Sequence, residues 1–211
     1  MGKLNKKNII VFASGGGTNF INIFTKLYLE NINGKIVLLI SNNSNCGAIK
    51  FAENNNIDIA IINKFRYHSN EKILNEYKIK LKEYKADLIL LAGFMKKMPS
   101  EIINIYKNKI LNIHPSLLPK YGGKGFYGLN VHKAVLSSDD KITGVTVHFI
   151  DNKYDNGPIL IQEEVPIYKD DTPEVLSKRV LDKEYQVYFR AVKLFCNDSI
   201  SIKDGEVFIN D

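Results

Sequence analysis

Asn112 and His114 stand two positions apart at the end of the apolar run KILNIH, and Pro115 follows at once. In a strand, residues i and i+2 share a face, so the amide and the imidazole project together while Leu111 and Ile113 turn into packing. Pro115 ends the ladder and biases His114 toward an extended backbone. An amide donor beside an imidazole can hold an oxygen that becomes negatively charged during acyl transfer. The plainer assignment is that His114 satisfies a loop carbonyl and Asn112 caps a turn.

A second candidate is SGGGTN, residues 14–19. Its glycines let backbone approach a ligand, and the helix that follows offers free N–H groups at a positive dipole end. Thr18 and Asn19 add side-chain donors. An anion, above all a phosphate, fits there, although a tight strand-to-helix turn would use the same residues. The spacing is neither G-x-x-x-x-G-K-[ST] nor G-x-G-x-x-G, since Phe20 takes the last glycine position. That points away from nucleoside triphosphates and dinucleotides.

Other polar residues carry weaker signals. Asp155 lies in YDNG, which is favourable turn chemistry. His148 alternates with apolar neighbours in VTVHFI and faces either a site or the sheet's own partners; a satisfied sheet residue is expected. His68 and His132 are expected on loop and helix surface. Leu176, Val180, Val187, Ala191 and Leu194 form an apolar stripe at helical spacing, interrupted by Glu184. A carboxylate there is costly without a partner, either a lysine or donor groups of a polar substrate. No His/Cys/Asp/Glu cluster has metal-ligand spacing.

The elements that must position these groups follow an alternating pattern. Apolar strands are expected at 8–14, 35–41, 58–62, 86–93 and 109–114. Helices are expected at about 20–31, 48–54 and 71–84, with a short one near Pro99. Strands apolar throughout and separated by helices imply a parallel sheet covered on both faces. Strands at 144–150 and 158–167 are joined only by DNKYDNG, a connection suited to an antiparallel hairpin. A long helix runs from Pro173 to about Cys196, capped by Thr172 with proline at its first position. The expected fold is one α/β domain with an antiparallel addition.

The bulk numbers bound the remaining classes. Hydrophobic content of 45% with 25% charged residues allows a sizeable core. The net charge of +6 comes from lysines spread among Asn and Ile, with no dense block, so no nucleic-acid surface is expected. A basic surface still attracts phosphorylated or polycarboxylate small molecules. Cys46 and Cys196 have no paired spacing, which suits free thiols in a reducing compartment. MGKLNKKNIIVFAS has the basic-then-apolar order of an export signal, but its run is short and breaks into SGGG, so a first strand is expected. No apolar stretch approaches the roughly 20 residues that span a bilayer. A cytoplasmic location is expected.

Together, SGGGTN, LAGFMKKM (91–98), LNIHPSLLPKYGG (111–123) and GVTVHFIDNKYDNGPI (144–159) resemble the folate-dependent formyltransferases, in particular the glycinamide ribonucleotide branch of purine synthesis. HPSLLP alone is shared across the wider group; the glycine loop, NIHPSLLP and YDNGPI in combination are specific. The resemblance covers nearly the whole chain and implies a single formyltransferase domain over 1–211. Residues to about 110 would bind the phosphate, and the remainder would carry catalysis and folate. It implies Asn112, His114 and Asp155 as the catalytic trio, with the oxyanion held by Asn112 and a protonated His114 that Asp155 keeps charged. Gly17, Thr18, Asn19 and Glu184 match contacts to glycinamide ribonucleotide. Met95, Lys96, Lys97, Met98, Asn112, Asp151 and Tyr154 match the folate side. The donor implied is 10-formyltetrahydrofolate, with no metal, and the protein is expected as a monomer or homodimer.

Some positions depart from the pattern. Asn70 stands where many members have a basic folate contact, and Lys97 where an apolar residue is usual. Lys96 and Lys97 together could meet folate's anionic glutamate tail. GGKGFYG (122–128) is longer than in some members and is expected as a flexible loop. Within the group, a hydrolase or a methionyl-tRNA formyltransferase is the nearest rival, but those usually carry an additional domain. A phosphate-binding sensor without catalysis is the rival from another class, and the intact trio argues against it.

Overall fold

Strand β1 (Lys7–Phe12) shows why the first half builds a sheet covered on both sides. Ile9 and Val11 enter one apolar cluster, Ile10 and Phe12 the other, and all four are fully buried. Each such side chain contributes roughly 1.5–3 kcal/mol when taken from water. The computed structural model describes residues 6–210. Met1–Asn5, the start of the segment weighed as an export signal, lies outside them.

The chain continues through α1 (Thr18–Leu29), β2 (Gly34–Ser41), α2 (Gly47–Asn54), β3 (Asp58–Ile61), α3 (Lys64–Tyr67), α4 (Asn70–Glu83) and β4 (Leu88–Leu91). It then forms α5 (Ser100–Ile105), β5 (Ile110–His114), α6 (Leu129–Leu136), β6 (Ile142–Phe149), β7 (Ile159–Pro166), α7 (Pro173–Cys196), β8 (Ile200–Lys203) and β9 (Glu206–Ile209). Seven strands form one sheet in the order β3-β2-β1-β4-β5-β6-β7. Pairings from β3 to β5 are parallel, and β5–β6 and β6–β7 are antiparallel. The expected mostly parallel sheet with a late antiparallel extension and long terminal helix is borne out.

β2 and β3 lie on one side of β1, and β4 and β5 on the other. A crevice opens where the strand order reverses in this way, beyond the carboxyl ends of the strands. Two loops meet there: Ser14 N donates to the Gly93 carbonyl at 3.1 Å, and Met95 N to Ser14 Oγ at 2.9 Å.

α7 starts as its sequence dictates, with the Thr172 hydroxyl accepting from Val175 N at 3.3 Å and proline in its first turn. Leu176, Val180, Val187 and Ala191 are buried as expected. Tyr188, fully buried, donates its hydroxyl to the carbonyls of Leu91 and Leu111, at 3.2 and 3.0 Å. That pins the helix to β4 and β5 and fixes Glu184, one turn earlier on the same face.

Two elements were not expected, α3 and the β8–β9 hairpin, and α6 was expected only as the helix carrying His132. The hairpin turns on Asp204-Gly205, both at positive φ. The Asp-Gly pair between alternating residues is a hairpin signal in the sequence itself.

Candidate active site

β5 and β6 deliver three polar side chains to one place. Asn112 stands directly opposite His148 in the ladder, and its Nδ2 donates to His148 Nε2 at 3.1 Å. Asp155 reaches them from the β6–β7 connection, held there by a turn in which it adopts φ 49°. Gly157 makes that turn possible, because a Cβ at this position would lie 1.9 Å from the Phe149 carbonyl oxygen. Asp155 Oδ1 accepts from Asn112 Nδ2 at 3.4 Å, and its Oδ2 accepts from Gly123 N at 2.8 Å. The second oxygen also lies 3.6 Å from His114 Nδ1.

His114 Nε2 is 2.8 Å from the Tyr121 carbonyl oxygen. A carbonyl only accepts, so Nε2 carries the proton of the neutral ring and Nδ1 faces Asp155 as a bare lone pair. At 3.6 Å those two acceptors make no hydrogen bond. A proton taken up on Nδ1 would join them. Burial holds His114 below its ordinary range, against the opposing pull of Asp155 and the Tyr121 bond. Desolvation of a ring only 4% exposed thus works against the Asp155 carboxylate, which was expected to keep the imidazole charged.

At the other end of the crevice, Gly17 caps α1 with φ 75°, and a Cβ there would meet Ala48 Cβ at 2.7 Å. Only glycine satisfies both the left-handed backbone and this approach to α2. Thr18 is exposed beside it, whereas Asn19 is buried. Asn19 Nδ2 donates to Glu184 Oε2 at 2.7 Å, and Asn19 Oδ1 has no partner. Burial pushes the Glu184 carboxyl up to about 7, with the Asn19 bond pulling the other way. Of the two partners considered for this carboxylate, the described residues supply no lysine and one amide donor, Asn19.

These two ends belong to one cavity of about 690 Å³. Met95, Lys96, Lys97, Met98, Asp151 and Tyr154 also border it. Lys97 Nζ lies 5.2 Å from the centre of the Tyr154 ring, joining the two loops across the opening. Met98 is 3% exposed and is mainly a core residue. Asn70 is exposed at the start of α4 and does not line the cavity. Among the described residues, no group of three or more His, Cys, Asp or Glu could hold a metal ion.

A family model described as Formyl transferase matches residues 7–192. The chain belongs to the formyl transferase family. It is 40% identical over 203 residues to the chloroplastic phosphoribosylglycinamide formyltransferase of Arabidopsis thaliana, covering 96% of this chain and 70% of that one. Of two other similarly named plant relatives it spans 65%. It is 33% identical over 204 residues to phosphoribosylglycinamide formyltransferase of Haemophilus influenzae, covering 97% and 94%. Glycinamide ribonucleotide transformylase 1 of Symbiobacterium toebii superposes with a TM-score of 0.90 at 32% identity, covering 98% and 95%.

One expectation from this formyl transferase's sequence is overturned. His132 is not on the surface: it is 3% exposed, borders the cavity, and its Nδ1 has no partner. Burial, with the His114 ring nearby, pushes it down to about 4. His148 is a satisfied sheet residue as expected, yet it also faces the site. The 122–128 segment, left without a chemical role, supplies Gly123 N to Asp155, and the adjoining Tyr121 supplies its carbonyl to His114. Backbone groups have no residue signature, so only the glycine density hinted at them. His148 was signalled by standing on the strand that pairs with NIH.

Proposed function

We propose that the cavity binds glycinamide ribonucleotide at the Gly17–Asn19 and Glu184 end and 10-formyltetrahydrofolate at the Met95–Met98, Asp151 and Tyr154 end. The formyl group then passes between them at Asn112, His114 and Asp155. The relatives' names, shared over nearly the whole chain, support the reaction. Convergence of the three polar groups in one cavity with an anion-suited loop and a lysine-bearing rim is the observation that carries the geometry. In this reading the chain is one domain, with a phosphate-binding half to about residue 110 and a catalytic half beyond it. The cytoplasm suits the two free buried thiols, Cys46 and Cys196.

The substrate's neutral amine attacks the formyl carbon, and the carbonyl oxygen becomes an oxyanion beside Asn112 Nδ2. The amine sheds one proton as the N–C bond forms. His114, which lines the cavity and whose Nδ1 is bare in the neutral ring, takes that proton, and Asp155 stabilises the imidazolium once it forms. The same proton then goes to the departing folate nitrogen as its C–N bond breaks, so charges balance without a covalent enzyme intermediate. His114 neutral at rest is the form this sequence needs.

Loss of one oxyanion donor costs about 10²–10³ in rate. Asn112→Ala and His114→Ala are expected to lose turnover by that order while still binding the ribonucleotide. A His114→Ala protein turning over at the wild-type rate refutes the assignment.

A further inference from the structure

His148 is 1% exposed and its ring has no freedom of tautomer. Nδ1 lies 3.1 Å from the Phe149 carbonyl oxygen, which can only accept, so Nδ1 holds the proton and Nε2 is a lone pair. That lone pair meets Asn112 Nδ2 at 3.1 Å. A lone pair is satisfied only by a donor, so the amide presents its NH2 here and turns its oxygen away. Among the described residues, the one other group the amide nitrogen bonds is Asp155 Oδ1, at a weak 3.4 Å. One Asn112 N–H is thus anchored on His148, and the second is held loosely enough to pass to a reacting oxygen.

We propose that His148 is a positioning residue for formyl transfer: its Nδ1–H tautomer, locked by the Phe149 carbonyl, fixes which end of the Asn112 amide faces the developing oxyanion. The inference rests on the formyl-transfer reading above. With the amide reversed, Asn112 would offer an oxygen instead of a donor, losing stabilisation and adding repulsion. The anchoring lone pair survives only while the ring is neutral. Burial and the His114 ring oppose its protonation, whereas the Phe149 carbonyl, Asp155 Oδ1 at 3.8 Å and Asp151 favour it. Burial is the largest of these, and it holds the ring below its ordinary range.

Two substitutions separate anchoring from mere filling. His148→Gln can place an amide oxygen near the Nε2 position and so keeps an acceptor for Asn112. His148→Asn can keep the bond to the Phe149 carbonyl but leaves nothing at Nε2. Expected is a kcat within about threefold of wild type for His148→Gln. For His148→Asn, kcat should fall about 10–100-fold, a partial form of the loss of one oxyanion donor, with both KM values within about threefold. Equal kcat for the two variants, or the reverse order, overturns the inference while wild type remains active. Wild type that fails to formylate the ribonucleotide overturns the functional reading and this inference with it. A measurement independent of variant folding is nitrogen NMR of ¹⁵N-histidine-labelled wild type. A proton on His148 Nδ1 and none on Nε2 is expected, and a proton on Nε2 overturns the proposal.

Discussion

Glu184 shows how one residue can be read in two ways from sequence and decided by its surroundings. On an apolar stripe it is a costly carboxylate, and it is 9% exposed with one protein donor, Asn19. Its proton affinity is raised from 4.5 to about 7 because burial penalises the charged form. A group whose folded value lies above its unfolded value stabilises the fold fully below the unfolded value, and that stabilisation is lost as pH rises through the folded value. The window here runs from about 4.5 to about 7. Glu184→Gln keeps an acceptor for Asn19 and cannot ionise. It is therefore expected to gain stability relative to wild type between pH 5 and pH 8, by on the order of 3 kcal/mol at most. Urea unfolding at the two pH values measures this, and a difference between the proteins that does not change with pH contradicts it.

Among the connecting elements, the glycine loop after β1 is the most constrained. Gly17 needs a positive φ and would place a Cβ against Ala48, the residue behind the start of α2. Gly17→Ala is expected to cost about 1–3 kcal/mol of stability. The displaced loop should raise the KM for the ribonucleotide at least about tenfold, the KM for the folate less. Thermal melts and initial rates check both, and an unchanged ribonucleotide KM contradicts the loop's role. The loop, its six-residue span and its neighbours were legible because glycine run, strand and helix adjoin in the chain. NIH was legible because strand alternation is local. Asp155 was not separable from ordinary turn chemistry on its own residues, since its partners lie in β5 and in the 121–123 backbone. His132 was misplaced for a related reason: a helix was expected around it, but not the face of α6 that buries it beside Val131 and Val135.

Across the whole molecule, reversal of strand order around β1 makes the crevice, and the antiparallel extension brings its chemistry. β6 supplies His148 opposite Asn112, its following turn supplies Asp155, and α7, pinned by Tyr188, supplies Glu184. The parallel half alone would offer the glycine loop and one polar strand end, with neither Asp155 nor His148 beside them. Both halves were legible as element patterns, because buried parallel strands and a short-linked antiparallel pair differ in composition and spacing. How the two halves converge was not, since side chains far apart in the chain meet only through the register of β5 and β6. Formyl transfer itself can be followed directly. Purified protein is mixed with 10-formyltetrahydrofolate, with and without glycinamide ribonucleotide, and release of tetrahydrofolate and formation of formylated ribonucleotide are measured together. Stoichiometric appearance of both, only when the ribonucleotide is present, is expected. Folate release at the same rate without it, or no release with it, contradicts the account.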